Sequence, residues 1–300
     1  MTIPVNSGAL PASPLHNPIT VPMALVRGML HGARARGLPL APLLAEVCIP
    51  SELLDQPGAR ITGEQYAALF LLLIERLDDD VLGLQSRPLR RGSFALLARS
   101  AVGAPTLEVA QRRVARTYGL LQDDVQVQLQ PEGTLVGFCL HFVERDAPWP
   151  EFLHEMLLRV FWRLLAWLGG GKLPVARFDF AFARPAHAES YARIFPAPLV
   201  FEAPHSAFWG EARALRRRVQ QDENALFDFL ANAQTYVILP PRHLHTASAS
   251  VRSLLQQRQP NWPDVAATAK ALHMSATTLQ RRLAGEATSF QALKDQLRRD

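Results

Sequence analysis

Near the end of this 300-residue chain stand three consecutive runs, Asp264-Val-Ala-Ala-Thr-Ala-Lys-Ala-Leu272, His273-Met-Ser275 and Ala276-Thr-Thr-Leu-Gln-Arg-Arg-Leu283. Apolar residues recur at helical spacing through the first run, and its alanines are small enough for another helix to approach closely. Ser275 can cap a second helix, in which Leu279 and Leu283 form one buried stripe. The three runs therefore predict a helix, a short turn and a second helix.

The outward face of the second predicted helix carries side chains suited to DNA. Gln and Arg pair bidentately with adenine and guanine edges in the major groove, and short hydroxyls suit phosphate oxygens. We therefore predict that this helix-turn-helix contacts double-stranded DNA. The predicted DNA-binding residues are Ser275, Thr277, Thr278, Gln280, Arg281, Arg282 and Thr288.

The net positive charge of the chain lies in the same region. Residues 242–300 contain nine Lys or Arg and four Asp or Glu, whereas the first 241 residues contain 23 of each. A basic segment supplies the salt-dependent, non-specific part of DNA affinity. An arbitrary basic stretch is more often a solvated face, but coincidence with the Ser-capped helix favours DNA.

This region resembles the first helix-turn-helix of the AraC family of bacterial transcription regulators. The resemblance rests on Val265-Ala266, Leu272-His-Met-Ser275, Thr278-Leu-Gln-Arg-Arg-Leu283, Thr288-Ser-Phe290, Leu293 and Leu297-Arg298. It implies that Thr277, Gln280 and Arg281 face bases. The chain departs from the family pattern at His273 and Ala287, where Gly is usual.

In that family a long helix joins the first helix-turn-helix to a second one. Residues 290–300 would begin the joining helix, and the sequence stops at Asp300 without a second unit. We therefore expect either a truncated form or a natural product that ends early.

Composition is that of an ordinary globular chain, with 48% apolar and 20% charged residues and enough length for two domains. The first residues lack the basic residues and apolar run of a secretory signal, so none is expected, and the longest apolar run, Ala67 to Ile74, is far shorter than the ~20 residues of a membrane span. Cys48 and Cys139 are far apart, which favours a reducing compartment. We expect a cytoplasmic, DNA-associated protein without membrane contact.

The sequence predicts an α+β sensor domain within the first 238 residues and an all-α helix-turn-helix segment after it. Periodicity gives helices from a capping box at Thr62 and from Thr106, a hairpin around Pro131-Glu-Gly133, and a very apolar helix, Glu151 to Leu168, with one narrow polar stripe. Short strands are predicted at 177–182 and 199–201, and helices at 188–194, 211–219 and 222–231. We predict a mobile lead-in at 1–22, an effector-sensing and dimerising domain at 23–238, a linker at 239–250 and the DNA-binding segment at 251–300.

The sensor part is similar to the arabinose-binding-type N-terminal domain of one AraC branch. The resemblance runs from Leu82-Gly-Leu84 through Tyr191-x3-Phe195 and Pro198-Leu-Val-Phe201 to Leu226. It implies a small-molecule effector, which need not be a sugar, since the Asn, Asp and Trp cluster typical of sugar sites is absent. A homodimer is expected, with RNA polymerase as a candidate partner.

The predicted effector pocket lies between the sheet and the helix Glu151 to Leu168, where strand and helix aromatics meet. Its residues are Phe138, His141, His154, Phe161 and Trp162. Taken singly, such aromatics are more often core and such histidines more often structural, although an aromatic cavity is also how apolar ligands are held.

The sequence favours a ligand-responsive transcription regulator with no catalytic residues, metal or cofactor. One alternative is a DNA-repair alkyl-transfer enzyme that uses the same helix-turn-helix; it would need an activated cysteine, whereas Cys139 lies mid-strand and Cys48 lacks activating neighbours in sequence. Another is a fragment that only senses and dimerises.

Overall fold

A computed structural model describes residues 20–56, 58–171, 173–231, 247–257, 262–272, 274–285 and 288–297. Its helices are α1 (Met23–Met29), α2 (His31–Ala35), α3 (Leu40–Glu46), α4 (Gly63–Leu77), α5 (Ser93–Ala101), α6 (Leu107–Leu121), α7 (Glu151–Leu168), α8 (Ala212–Leu215), α9 (Glu223–Ala231), α10 (Ala247–Gln257), α11 (Val265–Ala271), α12 (Ala276–Gly285) and α13 (Phe290–Leu297). Its strands are β1 (Thr20–Pro22), β2 (Arg60–Thr62), β3 (Val125–Glu132), β4 (Leu135–Phe142), β5 (Arg177–Asp179), β6 (Leu199–Val200) and β7 (Ser206–Glu211). Helix and sheet are thus mixed, as the α+β prediction requires.

Helices α4 and α6 begin at the capping residues that the sequence predicted. The capping box at Thr62 is confirmed: its Oγ1 accepts from the Gln65 amide, and the Gln65 side chain accepts from the Thr62 amide. Thr106 caps α6 in the expected way. Residues 1–22 were predicted to be a mobile lead-in, but the last three of them, Thr20–Pro22, form strand β1. This strand pairs antiparallel with β2 and so holds the starts of α1 and α4 together. The rest of that lead-in lies outside the described residues.

A five-stranded sheet of order β3-β4-β7-β5-β6 forms the centre of the sensor part. The predicted hairpin is confirmed, although its turn is Gly133-Thr134 rather than 131–133, because Glu132 pairs with Leu135. Pro131 remains in the strand, which is tolerated because β3 is an edge strand. The prediction for 206–211 was wrong: it placed no strand there, yet β7 lies between β4 and β5.

Several predicted bounds shorten in the structure. The strands predicted at 177–182 and 199–201 become three and two residues, and the helix predicted at 188–194 is a 3-10 helix, Ala188–Arg193. Of the helix predicted at 211–219, only Ala212–Leu215 is helical, as α8, and Glu211 belongs to β7.

Helix α7 covers the inner face of the sheet. Phe138 of β4 lies 5.1 Å, between ring centroids, from both Phe161 of α7 and Phe208 of β7. Fourteen residues of this helix are buried, so it forms the middle of the large core rather than a surface element.

The C-terminal helices have a core of their own. It contains Ala247, Val251, Leu255, Ala269, Leu279, Leu283, Leu293 and Leu297. The predicted linker is wrong at its end, because α10 begins at Ala247; its residues Ala247, Val251 and Leu255 recur every four positions and bury one face. Within the described residues, no helix combines the length and apolarity that crossing a membrane needs.

Candidate functional site

Helix α12 is fixed by its cap and by its two leucines. Ser275 Oγ accepts from the Thr278 amide at 3.1 Å, as predicted, and also bonds to Thr278 Oγ1 at 2.8 Å. Leu279 and Leu283 are buried in the C-terminal core. The helix therefore has one fixed face toward α10 and α11 and an opposite face toward solvent.

The solvent face brings together Thr277, Gln280 and Arg281, which are all exposed. Their spacing of three and four residues places them side by side on a helix. Thr278 and Thr288 are half-buried, so they are less available than the sequence suggested. The turn residue His273 and the side chain of Arg282 lie outside the described part of the chain.

The residues predicted to line an effector pocket do not all meet. Phe138, His154, Phe161 and Trp162 lie on the inner side of the sheet, but His141 faces the outer side beside His205, at 3.8 Å between ring centroids. The prediction that His141 and His154 converge is wrong, because successive residues of a strand point to opposite faces and His154 packs on the neighbouring Phe142.

The polar atoms of these residues are engaged within the fold. His154 Nδ1 lies 2.8 Å from Ser206 Oγ, which also accepts from the Ala181 amide, and burial lowers the pKa of His154 to about 4. Trp162 Nε1 donates to the Leu173 carbonyl at 3.2 Å. His141 Nε2 contacts the Gln130 side chain at 3.0 Å, and its pKa is lowered by partial burial and by His205.

A cavity lies on the other side of α7, against α1 and α4. Its volume is about 30 Å³, and it is lined by Leu25, Tyr66, Phe70, Phe152, Glu155, Met156, Arg159, Val160, Ile194 and Phe195. None of these was among the predicted ligand-binding residues. The available signal was the polar stripe of α7: charged residues within so apolar a helix were taken as its solvent side, whereas Glu155 and Arg163 are buried.

Two charged groups give this cavity its chemistry. The Glu155 carboxylate accepts a short hydrogen bond from the Tyr191 hydroxyl and lies 3.6 Å from His187 Nε2. Burial raises the pKa of Tyr191, so its hydroxyl stays protonated and keeps donating. Burial likewise lowers the pKa of Arg159 to about 10, which still leaves the guanidinium charged at neutral pH. The cavity is therefore lined by apolar side chains together with one carboxylate and one guanidinium.

The buried thiol does not suit alkyl transfer. Cys139 is 1% exposed, and burial, followed by the nearby Asp179 charge, raises its pKa to about 11. A reactive cysteine needs the opposite, a lowered pKa and access. Cys139 is instead a small apolar residue of the outer sheet face, beside Trp209.

Residues 37–219 match the family described as the arabinose-binding domain of AraC transcription regulator, N-terminal. The match spans α3 through α8 and covers more than half of the chain. The chain belongs to this family. The resemblance of the sensor part is thereby confirmed, and transcription regulation is the general role of the protein.

Two proteins of Pseudomonas aeruginosa resemble the chain over most of its length. The ornithine utilization regulator of strain PAO1 is 23% identical over 282 residues, which is 93% of this chain and 83% of that protein. The crystal structure of the transcriptional regulator CdpR is 19% identical and covers 91% of this chain and 82% of that one, with a TM-score of 0.38. That score is too low to establish a shared arrangement of the whole chain.

Proposed function

We propose that the protein is a ligand-responsive, sequence-specific DNA-binding regulator. The observation that carries this proposal is the exposed face of α12, where Thr277, Gln280 and Arg281 stand side by side above a buried leucine stripe in a member of a regulator family. A helix with this face fits the major groove, with its polar side chains reaching base edges. The segment 251–300 is assigned to DNA contact and 23–238 to effector sensing.

In this proposal the residues on and beside α12 have two roles in DNA contact. Gln280 and Arg281 read bases, whereas Ser275, Thr278, Arg282 and Thr288 contact or position the phosphate backbone. Effector binding shifts the population between arrangements of a homodimer and so changes operator affinity. The protein acts at DNA in the cytoplasm, and RNA polymerase is the partner through which it would alter transcription.

Replacing Arg281 by Ala tests the assignment on a site selected from random duplexes. We expect a loss of ~1–3 kcal/mol on the selected site and a relaxed preference at one base pair. The matched control is Arg113→Ala, which removes an exposed arginine from α6 and should leave DNA affinity unchanged. An equal loss on every sequence would reduce Arg281 to a phosphate contact.

Ornithine is the first compound to test as an effector, because one relative is named for ornithine utilization. A change in operator affinity on adding ornithine would support the same role in this chain. No change would leave the DNA-binding assignment intact and direct the search to the chemistry of the cavity beside α7.

A further inference from the structure

The two edges of the five-stranded sheet differ in length and protection. Strand β6 forms one edge and has two residues, whereas β3 forms the other and has eight. Short length, charged side chains and bulges are the usual means of keeping an edge strand from pairing further. Residues 125–131 of β3 carry no charge, and their pairing with β4 runs without an inserted residue. The β3 edge therefore has the length and regularity to accept another strand.

The pairing of β3 with β4 decides which backbone groups face outward. The Val143 amide donates to the Asp124 carbonyl at 2.9 Å, and the register of the two strands places these residues opposite each other. Hydrogen-bonded and non-hydrogen-bonded pairs alternate along an antiparallel ladder, so the even-numbered residues of β3 bond to β4. The amides and carbonyls of Val125, Val127 and Leu129 therefore point away from β4. Within the described residues, β4 is the only strand that pairs with β3.

Pro131 stands where the outward row of donors ends. Its nitrogen belongs to the outward set, so the missing N–H costs no hydrogen bond to β4. Glu132 follows it and is paired with Arg177 at 2.8 Å. The row available to another strand thus begins at Val125 and has its last donor at Leu129.

The side chains of β3 suit a second copy of the same strand. On the outer face of the sheet Gln126 and Gln128 are exposed, and a glutamine amide both donates and accepts, so it can pair with an identical amide. On the inner face Val127 and Leu129 pack against the large core but remain half-buried. A two-fold axis would place glutamine against glutamine and apolar against apolar, with no like charges brought together.

Resting on the homodimer of the function proposed above, we infer that the β3 strands of two copies pair antiparallel about a two-fold axis near their middle. The amides of Val125, Val127 and Leu129 in each copy donate to backbone carbonyls of the other, and the two five-stranded sheets become one continuous sheet. The half-buried Val127 and Leu129 are then covered by their counterparts. This pairing uses no residue of the C-terminal helices, so dimerisation and DNA contact depend on separate residues.

Sedimentation equilibrium of the full chain tests the interface. The double variant Gln126→Lys, Gln128→Lys brings like charges together across the axis, and we expect its dimer dissociation constant to rise about tenfold or more. The matched control is Gln56→Lys, which makes the same change at an exposed position outside the sheet and should dimerise as the wild type does. An unchanged dissociation constant in the double variant, or a wild-type chain that stays monomeric, would overturn the inference.

A charge-reversed partner separates a lost interface from a lost fold. The double variant Gln126→Glu, Gln128→Glu should also dimerise poorly by itself, for the same reason as the lysine form. An equal mixture of the two should recover dimers that contain one chain of each kind, because opposite charges then face each other. A mixture that remains monomeric would contradict the pairing of β3 with β3.

The same measurements distinguish this inference from the proposed function. Sedimentation requires no DNA, and Arg281→Ala should dimerise as the wild type does. A wild-type dimer that the lysine variant disrupts but that binds no duplex would count against the proposed function and leave the β3 interface standing. A lysine variant that stays dimeric and binds the selected duplex normally would place the interface elsewhere and leave the DNA assignment intact.

Discussion

Asp79 is a fully buried carboxylate that organises the turn between α4 and α5. Its Oδ1 accepts from the amides of Val81 and Leu89 at 3.0 and 2.9 Å, and its Oδ2 accepts from Gly83 at 2.9 Å and from Arg36 at 3.3 Å. Asp79→Ala would leave these donors without their acceptor in the interior. We expect a loss of about 3–5 kcal/mol in the free energy of unfolding, measured by urea denaturation.

The matched control for Asp79 is Asp123→Ala. The Asp123 side chain is 84% exposed and pairs with Arg87 at 3.1 Å, and such surface pairs contribute little. The control should unfold close to the wild type. A similar loss in both variants would mean that the Asp79 hydrogen bonds do not hold this turn.

His154 makes stability depend on pH. Burial lowers its pKa from 6.5 to about 4, so the unfolded chain binds this proton more readily than the folded one between those values. Above pH 6.5 the imidazole is neutral in both states and this contribution to stability is complete. As the pH falls from 6.5 to 4 the contribution is lost, and the free energy of unfolding decreases by about 3 kcal/mol in total. We expect wild type to lose more stability between pH 7 and pH 5 than His154→Leu, both measured by urea denaturation.

The comparison of slopes isolates His154, because the other titrating groups are common to both proteins. Parallel pH profiles of wild type and His154→Leu would show that the imidazole is not kept neutral by its burial. The Ser206 hydroxyl keeps its hydrogen bond from Ala181 in the variant, so the strand start remains anchored.

At the scale of elements, sequence periodicity predicted what depends on near neighbours. Helix caps at Thr62 and Ser275 and the alternation of β3 and β4 are local, and all are present. Strand β7 was missed because Ser206 to Glu211 contains a Gly and follows a turn-rich stretch, and its place is set by pairing with β4 and β5, which are distant in sequence. The cavity beside α7 was missed for the same reason, since three helices and a 3-10 helix meet only in the fold.

Among the glycines of the five-stranded sheet, Gly137 has the least room for a side chain. A Cβ there would lie 2.8 Å from the Trp209 ring, which is held by its 2.6 Å hydrogen bond to Asp179 and by Arg177 stacked over it. Gly137→Ala should therefore destabilise the protein by about 1–3 kcal/mol. Thermal melting of the variant, followed by Trp fluorescence, measures this loss.

Gly119 offers the opposite case within α6. A Cβ at Gly119 meets nothing within 4 Å, so Gly119→Ala should stabilise the helix by about 0.5–1 kcal/mol. Opposite signs for the two Gly→Ala changes are the expected outcome. A Gly137→Ala variant as stable as wild type would mean that the Trp209 ring can move enough to admit the methyl group.

At the scale of the whole molecule, the described residues bury their apolar side chains in two main groups. The larger extends from Val21 to Phe229 and the smaller from Ala247 to Leu297, with no shared residue. Charge asymmetry and the change in periodicity predicted this division from the sequence. The position of the boundary was less predictable. Residues 247–250 resemble a polar linker, and only the spacing of Ala247 with Val251 and Leu255 shows that they begin a helix with a buried face.

The two groups should unfold separately. The smaller has eight buried apolar residues, a core too small to give more than modest stability on its own, so calorimetry should show a low-temperature transition followed by a larger one. Leu283→Ala removes a buried side chain from the smaller core, and Leu164→Ala does the same in the larger, each costing about 2–5 kcal/mol. Leu283→Ala should lower only the first transition and Leu164→Ala only the second. A single transition lowered by both variants would show that the C-terminal helices and the larger core fold as one unit, and a change in the larger core could then reach α12 through packed side chains.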